Sequence, residues 1–132
     1  MKTGKKIVFL ALTLFVGVQV FAQDKATVYF IRSTGVGQTL ASYRMFIDDA
    51  LVCKLKNKQF SVHEVEPGFR AIAVQSDIKY PPTKIEMKAG ETYYVSIVLK
   101  SDGFGFSASC VEITENAAKI EMQGTGRRDK CL

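Results

Sequence analysis

From residue 25 onward the chain is built of short runs rich in β-branched and aromatic residues. Turn residues break them about every ten positions, the cadence of a β-sandwich or barrel. ATVYFIR (26–32), YRMFI (43–47), LVCKL (51–55), FSVHEV (60–65), FRAIAVQS (69–76), TKIEMK (83–88), TYYVSIVLK (92–100) and FSASCVEI (106–113) are the expected strands. The residues between them suit turns. Asp48-Asp49 closes a first hairpin, and Pro67-Gly68 presets φ at one residue and accepts positive φ at the next. Ala89-Gly90-Glu91 and Ser101-Asp102-Gly103 supply two more breaks.

Alternation within the runs assigns their faces, because successive side chains of a strand point opposite ways. Ile85 and Met87 fall on one face of their run, with Lys84, Glu86 and Lys88 on the other. The adjacent tyrosines of TYYVSIVLK therefore cannot share a surface. Tyr93 joins Val95, Ile97 and Leu99 toward the core, while Tyr94 lies on the mixed face, packed on a cross-strand neighbour or open to a partner. Leu51, Cys53 and Leu55 are expected on one buried face. Only TENAAKIEM (114–122) reads as a helix, with Thr114 as N-cap, Glu115 in the first turn and Gly124 past its end. The expected fold is all-β: an antiparallel β-sandwich of seven to eight strands with one short C-terminal helix.

The first 22 residues have another character. Lys2, Lys5 and Lys6 precede an uncharged apolar run from Ile7 to Phe21, and Val20 and Ala22 give the small-residue spacing read by signal peptidase. This is the pattern of a cleaved signal peptide, with the cut between Ala22 and Gln23. As a membrane anchor the run is at the short end for about 30 Å of hydrocarbon, and no basic cluster follows it. Residues 23–132 then form a single domain, large enough for one core but not two. Its tail, 124–132, is expected to be flexible or tied by a disulfide. Periplasmic or secreted location follows, with no stable membrane anchor after cleavage.

Export changes the meaning of the charge. Of 18 Lys and Arg, three lie in the leader, leaving 15 against 13 Asp and Glu. That near balance, with GRRDK as the one basic cluster, argues against nucleic acid as a partner.

Three cysteines in an oxidising compartment leave at least one thiol unpaired within the monomer. Cys53 reads as a small buried hydrophobe, which makes Cys110 and Cys131 the expected disulfide. The alternative for Cys131 is an intermolecular bond or a redox thiol. No spacing resembles a CxxC redox motif or a zinc site, so no metal ligands are expected.

No catalytic or cofactor-binding constellation emerges. His63, the single histidine, lies opposite Phe60, Val62 and Glu64 and reads as a solvent-facing or hydrogen-bonded strand residue. Asp48 and Asp49 are turn formers without calcium-loop spacing. Gly35-Val36-Gly37 lacks the third glycine and the helix start of a dinucleotide loop. Aromatic enrichment at interfaces points instead to Tyr94, Phe104 and Tyr80 as an interaction surface.

Four stretches in order, ATVYFIR, MFIDDALVCKL, VEPGFRAI and AGETYYVSIVL, resemble a bacterial exported family catalogued as domain of unknown function 2846. The pattern is an opening strand ending in Arg, a Val-x-Val-Asp-Gly-type hairpin, a Pro-Gly turn and a Gly-x-x-Tyr-Tyr strand. It is also similar to PEGA-type surface modules, small β-sandwiches of the cell envelope. The resemblance implies an exported envelope protein, often a lipoprotein in that family, with no catalytic residues to carry over. Two departures stand out: Asp49 occupies the hairpin-glycine position, and no lipoprotein cysteine follows the leader. The function expected is a non-enzymatic β-sandwich of the bacterial cell envelope. Its partner would be an envelope protein or a surface glycan, with β-strand addition one available mode. The alternative is a small-ligand or carbohydrate-binding protein using the loops at 33–42 and 101–106.

Overall fold

The computed structural model describes residues 24–33, 42–75, 81–101, 103 and 106–132. The leader with its cut at Ala22 and Gln23, most of the 33–42 and 101–106 loops, Tyr80 and Phe104 lie outside the described residues.

The strands are β1 (Ala26–Arg32), β2 (Tyr43–Ile47), β3 (Ala50–Leu55), β4 (Gln59–Val65), β5 (Gly68–Gln75), β6 (Thr83–Met87), β7 (Thr92–Ser101), β8 (Phe106–Ile113) and β9 (Gly126–Arg127), with one helix, α1 (Glu115–Met122). They form two sheets, ordered β8-β7-β1-β4-β9 and β3-β2-β5-β6. Inward residues of both sheets make one core. Phe30, Tyr43, Met45, Leu55, Ile72 and Met87 are fully buried there, and each such side chain is worth roughly 1.5–3 kcal/mol.

The sandwich is mixed rather than purely antiparallel. β1 and β7 run parallel, as do β4 and β9. Parallel neighbours need a long crossover, and here the second sheet supplies it. β1 leads into the β2–β3 hairpin of that sheet, β4 returns to pair antiparallel with β1, and β5–β6 cross again before β7 arrives.

Local chemistry accounts for the turns. Asp48 and Asp49 both have positive φ, 49° and 65°, as the tight turn of a right-twisted hairpin requires. Asp fills the position where glycine was expected because it tolerates that region better than most residues. Pro67-Gly68 makes a corner between the sheets instead of a hairpin, since β4 and β5 are not paired. Gly68 sits there at φ 120°. Arg70 straps the corner, donating to the carbonyls of Glu66 (2.8 Å) and Pro67 (3.0 Å).

A bulge corrects the expected face of β3. The β2–β3 register shifts so that Cys53 faces Met45 while Leu51 faces Phe46, and Val52 is skipped between them. Such an extra residue flips the strand's alternation. Cys53 and Leu55 remain buried, whereas Leu51 moves to the outer face with Phe46.

The helix is capped as expected, with Thr114 Oγ1 accepting from Ala117 N–H at 3.2 Å. α1 packs over β1 and β7 on the outer side of the five-stranded sheet. Ala118 is fully buried there, and Ser96 Oγ donates to Glu121 Oε2 at 2.6 Å. No helix among the described residues is long and apolar enough to cross a membrane.

Candidate functional site

Two places gather chemistry: the open side of the sandwich between β3 and β4, and the outer face of the five-stranded sheet.

At the open side the cysteines pair differently from the expectation. Cys131 is bonded to Cys53, not to Cys110. The reason is the path of the tail. After α1 it returns along β4, with Gly126 N–H donating to Lys58 O (3.0 Å) and Arg128 N–H to Phe60 O (2.8 Å). It then reaches β3, where Lys54 N–H donates to Cys131 O at 3.0 Å. This carries Cys131 to Cys53. Cys110 stays on β8 as a free, buried thiol, and burial pushes its pKa up to about 12. The thiolate is the reactive form, so at neutral pH Cys110 is inert.

His63 faces inward toward this bond. It is half-buried, and its ring lies 5.4 Å from that of Phe30. Nε2 is 2.8 Å from the fully buried Ser61 Oγ. The hydrogen-bonded alternative therefore describes it, and the solvent-facing one does not. Burial, and then the positive charge of Arg127, push the imidazole below its usual pKa, so the ring is neutral at pH 7. Cys53, His63 and Cys131 form a cluster that sequence reasoning missed. Their ligand atoms all lie within 4.8 Å of one another, although 78 residues separate the two cysteines in the chain.

Two hollows flank His63. One, of about 520 Å³, is lined by Ile47, Val52, Val65, Asp48 and Arg70. The other, of about 360 Å³, lies under the tail beside Cys131 and Asp129. Asp48 on the first hollow is held below the usual carboxylate range, chiefly by the hydrogen bond from Ala71 N–H and also by Arg70 Nη1 at 2.9 Å.

On the outer face Tyr94 meets Tyr29, their ring centroids 5.0 Å apart, and Tyr29 stacks on Phe60 at 6.2 Å with planes 9° apart. The register of β7, β1 and β4 builds this row, because Tyr94 pairs with Tyr29, and Phe60 sits on the same face of β4 two residues from Tyr29's partner Val62. All three rings are half-buried. Tyr94 thus packs on a cross-strand neighbour and keeps an exposed part. Burial, and then nearby Glu115, push its phenol pKa up. Tyr93 points inward as expected, its ring against the core. Its hydroxyl stays at the rim, where it accepts from Lys88 N–H (2.7 Å) and donates to Glu91 (3.1 Å).

Arg32, the arginine that ends the opening strand, is buried between the sheets. It donates to Leu55 O at 2.8 Å and lies 3.9 Å over the Tyr43 ring. Guanidinium stacking with a carbonyl acceptor explains how a charge is accommodated there. This residue holds the fold together and does not open onto either hollow.

A search of curated proteins returns no match. The family model described as "Protein of unknown function (DUF2846)" matches residues 22–109, two thirds of the chain. That span holds β1 through β7 and the start of β8, with Arg32, Cys53, His63 and Tyr94. It leaves α1, Cys110 and Cys131 beyond it. On that match the chain belongs to the DUF2846 family, and the two-sheet sandwich described above is its fold in this member.

Proposed function

We propose that this domain is an exported, non-enzymatic module of the bacterial cell envelope that docks a partner protein on the outer face of its five-stranded sheet. The observation that carries the reading is the Phe60–Tyr29–Tyr94 row, half-exposed beside α1. Val111 extends the same face at 45% exposure, and Ile120 stands outward on the helix at 68%. Clustered aromatic and aliphatic groups of this kind are what protein interfaces bury at their centres. The leader-like first 22 residues and the disulfide support placement in an oxidising compartment.

The hollow of about 520 Å³ beside His63 favours a second reading, a small ligand held at the open side, since its size suits one. One experiment separates the two. A photo-crosslinking phenylalanine analogue is placed at position 94 or at position 52 in cells. Under the first reading position 94 captures a discrete envelope protein, Val111→Asp abolishes the adduct, and position 52 captures none. An adduct at position 52 alone, or one at position 94 indifferent to Val111→Asp, overturns it.

A further inference from the structure

We propose that Cys53, Cys131 and His63 form a redox-gated zinc site: closed as the disulfide, and competent to hold Zn(II) once the bond is reduced. Two thiolates and an imidazole are a donor set that zinc prefers, with a water completing the tetrahedron. The three ligand atoms lie within 4.8 Å of one another. Tetrahedral zinc, with bonds of about 2.3 Å to sulfur and 2.0 Å to nitrogen, sets its ligand atoms roughly 3.5–3.8 Å apart. Side-chain rotation supplies the difference.

Reduction does not release the pair. The tail stays beside β3 and β4 through backbone bonds that owe nothing to sulfur: Lys54 N–H to Cys131 O, Arg128 N–H to Phe60 O and Gly126 N–H to Lys58 O. The sulfurs therefore remain neighbours as thiols. Ser61 Oγ, 2.8 Å from His63 Nε2, gives the outer partner that fixes a metal-binding imidazole. In the tautomer with Nε2–H donating to Ser61, Nδ1 is the nitrogen left for the metal. The hollow under the tail, lined by Cys131 and Asp129, is the entry path and the place for the water.

The redox step balances with a dithiol protein of the thiol–disulfide exchange class. A donor thiolate attacks Cys131 Sγ, the accessible sulfur of the pair, and Cys53 leaves as thiolate. The second donor thiol then resolves the mixed disulfide. The donor ends as a disulfide, and the two thiol protons pass to Cys53 and Cys131. Zinc binding displaces both protons to solvent.

The test uses the purified mature protein with Zn(II) alone, its affinity read by competition with a chromogenic chelator under anaerobic conditions. Phosphine-reduced protein is expected to bind one zinc and to melt at a higher temperature with it. The oxidised protein does neither. His63→Gln is expected to weaken zinc binding by 10-fold or more, with Cys110→Ser unchanged. Cobalt(II) substitution of the reduced wild type adds a readout that needs no variant, thiolate-to-cobalt absorption. Equal affinity in wild type and His63→Gln overturns the proposal. So does equal binding by the oxidised form, or a reduced chain that unfolds with zinc present.

Discussion

Asp48 occupies a left-handed position in the first hairpin and still anchors a strand 23 residues away. Its carboxylate accepts from Ala71 N–H and from Arg70, which itself straps the corner at Pro67. The folded pKa is depressed, so the stabilisation is fully present above the unfolded value of about 3.9 and fades as pH falls through the folded one. Asp48→Asn keeps the turn, since Asn tolerates positive φ, but loses the charge. At pH 7 the variant is expected to be less stable by under about 1 kcal/mol, the side chain being 45% exposed. The difference shrinks as pH falls below the unfolded value and through the folded one, and urea midpoints at pH 7 and in acid measure it. The turn was legible from the residue type. Its partners were not, because Arg70 becomes a neighbour only after the chain has crossed to β5.

Among the elements, the strands were readable because one face of each is buried and the pattern must alternate. Ile85 and Met87 against Lys84, Glu86 and Lys88 is the clearest case. The pairing was not readable. β1 lies between β4 and β7, and nothing within its seven residues names either neighbour. β9 is two residues without apolar content, invisible to any periodicity. Yet its alignment beside β4 brings the tail to Cys53 and decides the disulfide. The bulge at Val52 escaped for a similar reason, since a skipped residue shows only when the partner strand is in place. The bond closes a separation of 78 residues, which in a chain-entropy account is worth about 4.5 kcal/mol. The tail's backbone bonds persist without it, and Cys131→Ser is expected to cost about 2–4 kcal/mol. That loss would appear as a lower urea midpoint. An unchanged midpoint would mean that Cys131 is not bonded in the native protein.

At the scale of the molecule, two sheets of different character divide the work. The four-stranded sheet closes the core, its Tyr43 ring stacked against Arg32 from β1 of the other sheet. The five-stranded sheet carries α1 and the aromatic row outside, and it turns His63 inward to face the disulfide. A shared fold does not fix function. The chemistry lies in what the chain places at the open side and on the outer face. The outer face is set by the register of β7, β1 and β4, and the open side by how the segment after β8 folds back, first as α1 and then as the tail that delivers Cys131. Export and the Cys53–Cys131 bond can be read together in one sample. Protein recovered from the envelope fraction is alkylated in denaturant without reductant and mapped by peptide mass spectrometry. The expected result is a chain beginning at Gln23, with Cys53 and Cys131 joined and the alkyl group on Cys110 alone. A chain that retains Met1 with three alkylated cysteines, or a peptide joining Cys110 to Cys131, would contradict it.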